Sequence, residues 1–275
     1  MTDSAQTTRP IAPLRHWWLT ASLIGLNLLV FVIGIVLGLD ALSPKTIDLL
    51  NLGANFAPLT ATGDTWRLLS SMFLHIGLVH LLINMWALFL FGSYAEFYFG
   101  RNFYAMLYLL SGLMGSIATT WWNMPAAEAM LSQDIPQQLP AISAGASGAI
   151  MGLGGALLIA AWRPRADLAP HARLNLRMLL TLMLINVAIG LLIPNIDNAA
   201  HLGGAITGAM LAWLFTFSYQ AWRPKQPLSL AIRWIGVLIV AATVYYLIQQ
   251  LQTRGIVLQE LGQQIRQELS HSHRN

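Results

Sequence analysis

Seven apolar runs alternate with short polar stretches along the chain, at about 17–39, 70–95, 102–122, 147–162, 176–193, 199–219 and 229–251. The first lies behind Arg9 and Arg15. It exceeds the ~20 residues that a hydrocarbon core of about 30 Å requires, so it reads as a retained signal anchor rather than a cleaved leader. Backbone groups inside a bilayer find no water to bond, so each run predicts a helix. The alternating segments of about ten residues that a membrane barrel needs are absent. Between the runs, Ser43-Pro44 opens a short amphipathic stretch within 40–68, which predicts a small interfacial helix. Residues 123–146 are polar, hold three prolines and lead straight into Ser147. The tail 252–275 carries Val257, Leu261 and Ile265 at helical spacing, a pattern that fits a surface helix and a solvated tail equally. No internal repeat and no soluble domain stands out.

Composition agrees with lipid as the main solvent. The chain of 275 residues is 56% hydrophobic and 9% charged, where a soluble domain carries about 25% charged residues. The net charge of +4 is spread over short loops, which argues for membrane orientation and against nucleic-acid binding. With the N-terminus inside, Arg9, Arg15, Arg101, Arg163, Arg165, Arg173, Arg177, Arg223, Lys225 and Arg233 fall on the inner side. Lys45, Arg67, Arg254, Arg266 and Arg274 fall outside, with Asp40, Asp48, Asp64, Glu128, Asp134 and Asp197. The expected fold is therefore an all-α, polytopic, multi-pass membrane protein, N-in and C-out. Trp17, Trp18, Trp121, Trp122, Trp162 and Trp222 lie near span ends, as interfacial tryptophans do. Without cysteine there is no disulfide, no thiolate metal site and no thiol nucleophile.

Polar residues inside such spans are costly and point to function. Ser147 opens span four, His201 lies near the start of span six, and His80 and Asn84 share a face in span two. With N-in topology all four fall at a similar depth, toward the outside. Span four covers 16 residues from Ser147 to Trp162, roughly 24 Å at about 1.5 Å per residue, several Å short of the core. A helix that starts below the surface would place Ser147 in a recess lined by the residues before it. Met151 and Gly154 share the face of Ser147, and Gly204 and Gly208 share that of His201. Packed through these faces, spans four and six could bring a serine oxygen within reach of an imidazole. His80 and Asn84 could then aim donors at a developing oxyanion, as could the free N–H groups opening span four. No acid lies in the outer half of spans four or six, which favours a Ser-His dyad over a triad. A serine and histidines that only pack helices remain the alternative at this point, as does a transporter or proton relay. His75 is off the face of His80 and reads as structural, while His171, His271 and His273 lie in loops or tail and carry no assigned role.

These residues, taken together, resemble the rhomboid intramembrane serine proteases. The matching elements are Trp66-Arg67, "HIGLVHLLIN" with His75, His80 and Asn84, Glu96 with Gly100, "GASG" at 145–148, and "NAAHLGGAITG" at 198–208. The resemblance runs from about residue 52 to 218. It implies a six-helix bundle, with span seven as the extra C-terminal helix of some members. The division expected is a cytoplasmic segment 1–16, a protease core 17–219, a loop and seventh helix 220–251, and an outer tail 252–275. It further implies Ser147 as nucleophile, His201 as general base and then acid, and His80, Asn84 and the Ser147 backbone N–H as oxyanion donors. Gly145, Gly148, Gly204 and Gly208 would be structural beside the site. Met151 stands where many members carry an aromatic residue stacked on the histidine; a thioether also packs on an imidazole. Trp66 and Arg67 would belong to the outer loop, and Glu96 and Gly100 would be structural at the inner end. Substrates would be transmembrane proteins cut near the outer ends of their helices, with the fifth span as gate and no metal or cofactor. The location expected is a bacterial inner membrane with the site toward the periplasm. A catalytically inactive member that binds membrane helices is the alternative.

Overall fold

The computed structural model describes residues 17–131, 140–164, 174–192, 196–221 and 227–272. Segment 1–16, Asp134, Arg165, His171, Arg173, Trp222, Arg223, Lys225, His273 and Arg274 lie outside them. The described residues form eleven helices and no strand. Seven are apolar: α1 (Trp18–Val36), α5 (Leu78–Phe99), α6 (Arg101–Ala129), α7 (Ser147–Trp162), α8 (Leu176–Leu192), α9 (Asn198–Ala221) and α10 (Pro227–Gly255). All but α7 and α8 are long and apolar enough to cross a membrane by length and composition. Three short helices, α2 (Thr46–Asn51), α3 (Ala57–Thr60) and α4 (Arg67–Ser70), build the loop between α1 and α5. A 3₁₀ turn at Ile256–Leu258 leads into the tail helix α11 (Gln259–Ser272).

Helix α7 is hydrophobic all round and buried along nearly its whole length, as a central helix must be. It packs against α9 where glycines let the backbones touch. A Cβ at Gly204 would run into the Gly148 carbonyl, one at Gly208 into that of Gly152, and one at Gly155 into that of Ala205. Helix α6 closes the third side, with Gly115 against the Ala200 carbonyl. Gly154 differs from the sequence expectation: its neighbour is the Met183 side chain of α8, not α9. Faces counted at a fixed angle per residue do not say which neighbour each face meets.

Two element boundaries also differ. Span two begins at Leu78 rather than near residue 70, because Gly77 has φ +85° and a Cβ there would sit 2.6 Å from the Leu42 carbonyl oxygen. His75 therefore precedes the helix. Span three runs on to Ala129, with Pro125 inside the helix.

At the end of the bundle away from Ser147, Glu96 is buried and serves the start of α1. Its carboxylate accepts the Leu19 N–H at 3.2 Å, and the Thr20 N–H and hydroxyl at 2.9 Å each. Arg101 pairs with it at 3.4 Å. The first N–H groups of a helix have no partner within it; here a carboxylate from another span supplies one.

Candidate active site

Ser147 is the first residue of α7 and is half-buried. The first hydrogen bond closing that helix runs from the Ile150 N–H to the Ala146 carbonyl at 3.0 Å. The N–H groups of Ser147, Gly148 and Ala149 thus have no acceptor within the helix. The approach to Ser147 is fixed from outside. Ser143 and Asn55 exchange two backbone hydrogen bonds of 2.9 Å, and the Gly145 N–H donates to the Ser71 carbonyl at 2.9 Å. Gly145 has φ +142°, where side chains are disfavoured. A Cβ there would lie 2.8 Å from His80 Cε1, 3.1 Å from His80 Nε2 and 3.8 Å from Ser147 Oγ. Gly145 is therefore the gap through which the His80 ring reaches the start of α7.

His80 Nδ1 accepts the Ile76 N–H at 3.3 Å. In that tautomer the neutral ring carries its proton on Nε2, which lies beside Gly145. Asn84 is buried one turn on and donates to the His80 carbonyl at 2.9 Å. One of its two amide N–H bonds is thus held within α5, which leaves one to give elsewhere. His75 is buried, its ring centroid 5.4 Å from that of His80.

His201 comes to the same place from α9. Ala200, its predecessor, and Gly148, the residue after Ser147, face each other: a Cβ on Gly148 would be 3.4 Å from the Ala200 carbonyl oxygen. His80 and His201 are close enough to act on each other electrostatically. His201 Nδ1 is buried, with no hydrogen-bond partner among the described residues. Asp197 lies within electrostatic range of the ring, but its carboxylate is engaged otherwise. It accepts the Thr119 hydroxyl at 2.7 and 2.6 Å and the Ala200 N–H at 2.9 Å, and so caps α9. Met151 is buried on α7 within the main apolar core. Among the described residues no three His, Asp or Glu side chains gather as a metal would require.

The loop between α1 and α5 holds this approach segment. Arg67 is buried, donating to the Leu50 carbonyl at 2.7 Å, the Ala54 carbonyl at 3.1 Å and Asp64 at 3.1 Å. Burial pushes the pKa of its guanidinium down, and the Asp64 carboxylate offsets part of that. Trp66 is exposed, stacks on Arg67 at 4.7 Å and covers Gly53. Asn55 was not singled out in the sequence, yet its buried side chain bonds the Ser116 carbonyl at 2.9 Å and the hydroxyls of Thr120 at 3.1 Å and Thr60 at 2.7 Å. An asparagine in a loop gives no signal of such a role until its partners, more than 60 residues away on α6, are known.

Residues 62–218 match the family model of the rhomboid domain. The chain is 35% identical over 189 residues to Rhomboid protease GluP of Bacillus subtilis (strain 168), a match covering 69% of this chain and 33% of that protein. It is 32% identical over 202 residues to Rhomboid protease AarA of Providencia stuartii, covering 70% of this chain and 71% of that protein. Inactive RHOMBOID-like protein 8 of Arabidopsis thaliana is 35% identical over 168 residues, covering 61% of this chain and 43% of that one. The match thus spans a third of GluP and under half of the plant protein, but most of AarA.

Proposed function

Because the chain belongs to the rhomboid family, we propose that it is an intramembrane serine endopeptidase cutting transmembrane protein substrates near the outer ends of their helices. The observation that carries this reading is the meeting at one point of the α7 N-terminus with Ser147, the His80 ring in the gap at Gly145, and the α9 backbone beside His201. Ser147 Oγ attacks the scissile carbonyl carbon while His201 takes its proton. The oxyanion is met by His80 Nε2–H, by the remaining Asn84 N–H and by the Ser147 backbone N–H. His201 then protonates the departing amine. A water, deprotonated by the same imidazole, hydrolyses the acyl-enzyme and frees Ser147.

A dyad fits the hydrogen bonding better than a triad. Asp197 already serves Thr119 and the start of α9, and His201 Nδ1 is left to packing for its orientation. The arginine distribution supports an N-in orientation in a bacterial inner membrane, with Ser147 toward the periplasm.

The test is cleavage of a single-span helix by purified protein in liposomes. Ser147→Ala and His201→Ala should each reduce turnover by about 10³-fold or more. A fluorophosphonate should label the wild type at Ser147. Undiminished cleavage by either variant refutes the assignment. A relative named as inactive gives the second reading its footing, namely a helix-binding protein without turnover. Stable co-purification of an uncut partner with unreactive wild-type protein would favour it.

A further inference from the structure

The tail helix α11 makes contacts that an anchor or a solvated tail would not need. Arg266 donates to Asp64 at 3.3 Å, to the Thr62 carbonyl at 2.8 Å and to the Thr62 hydroxyl at 2.9 Å. Gly262 lies so close to Thr62 that an added Cβ would be 3.0 Å from the Thr62 Cβ. Gly255, at the end of α10, sits against the Ala61 carbonyl. Arg254 forms a two-point pair with Glu128 on α6, at 2.6 and 3.0 Å. The apolar face docks as well: Leu269 is buried in one cluster with Leu50 and Leu59, and Ile265 and Ile142 pack against it.

Both kinds of contact lead toward Ser147. By the polar route, Asp64 bridges Arg266 to Arg67, and Arg67 holds the Leu50 and Ala54 carbonyls next to Asn55, the residue paired with Ser143. By the apolar route, Leu269 and Ile265 support the cluster on which Ile142 rests, immediately before Ser143. Residues 141–146 form no helix of their own, so they are held by contacts from outside: Asn55, Ser71 and Asn123 by hydrogen bonds, and the apolar clusters on which Ile142 and Ala144 rest. Holding a reacting group within a fraction of an ångström matters: a shift of about 1 Å can cost about 10²-fold in rate.

We infer that Arg266 and Leu269 of α11 are positioning residues, which set the pose of Ser147 by clamping the outer loop onto segment 141–146. The inference rests on the protease reading above. It makes the tail part of the catalytic unit although it lies over 100 residues from Ser147.

The absence of cysteine allows a direct test. The full-length protein is compared with Arg266→Ala, Arg266→Lys and Leu269→Ala in liposomes, reading cleavage kinetics and the rate of fluorophosphonate labelling. Both alanine variants should lose about tenfold or more in kcat and in labelling rate, with KM changed less than about twofold, since the substrate path is untouched. Arg266→Lys, which keeps a charged donor group for Thr62 or Asp64 without the guanidinium fork, should recover part of the loss. A Thr62→Cys/Gly262→Cys pair is then placed in the Arg266→Ala background. Its Cβ atoms start about half an ångström short of the range a disulfide spans, so a small outward shift suffices. Oxidation should restore kcat, and reduction should remove it again. Wild-type kcat and labelling in both alanine variants would overturn the inference while Ser147-dependent turnover persists. Absence of Ser147-dependent turnover and labelling in the wild type would refute the protease reading itself, and the positioning role with it.

Discussion

Gly145 shows how one residue can serve backbone and chemistry together. Its φ of +142° is strained for any side chain, and the space a Cβ needs is held by His80. Gly145→Ala should therefore cost about 1–3 kcal/mol of stability and, by pushing His80 away, about 10²-fold in cleavage. A melting curve and a turnover assay on the same sample check both; an alanine variant with wild-type kcat would refute the placement of His80. Asp197 separates dyad from triad at the same scale. Amidation of a triad aspartate costs about 10⁴-fold in kcat. Here Asp197→Asn should stay within about tenfold of wild type, since its side chain can still accept from Thr119 and the Ala200 N–H. A loss of several thousandfold would return the aspartate to the catalytic machinery.

At the scale of elements, α7 and α9 are joined by backbone contact rather than by large side chains. Gly204→Val would drive a branched side chain into the Gly148 carbonyl, one residue from Ser147. Overpacking of that kind costs about 1–3 kcal/mol, and here it would separate Ser147 from His201, so unfolding temperature and fluorophosphonate labelling should fall together. Gly25 on α1 is the contrast, because nothing lies within 4 Å of a Cβ there. Gly25→Ala should leave activity unchanged and gain up to about 1 kcal/mol from helix propensity. Glu96 belongs to this scale as well. Glu96→Ala would leave the buried Thr20 N–H without its acceptor and its hydroxyl with only Tyr104 at 3.3 Å, costing about 1–3 kcal/mol. The damage should appear in thermal stability, with Ser147 labelling retained in the protein that stays folded.

For the whole molecule, the docking of α11 on the loop between α1 and α5 puts Ser272 at the same end of the bundle as Ser147. An enzyme reporter that is active only after translocation, fused behind residue 275, should therefore be active in cells. The same reporter joined after Arg163, at the far end of α7, should be silent. The reverse pattern would invert the orientation proposed from the arginines. The molecule is also closed by its own tail, so sequence distance is a poor guide to mechanical distance. The pair Arg254–Glu128 spans 126 residues and Arg266–Asp64 spans 202.

The amino-acid sequence by itself determined the seven apolar helices, because a bilayer leaves an apolar backbone no alternative to internal hydrogen bonding. Counting spans and depths also led to the expectation that Ser147, His201, His80 and Asn84 lie at one level. The sequence offered Glu96 and Gly100, Trp66 and Arg67 as structural matches to a family, without the partners each would hold. Tertiary structure decided those roles: a carboxylate that starts another helix, and a buried guanidinium that holds loop carbonyls. It also decided that Gly154 faces α8, that span two waits for Gly77, and that the tail is a docked helix rather than a solvated one. Each of these depends on partners far away in sequence, and periodicity along one segment carries no information about what a face will meet.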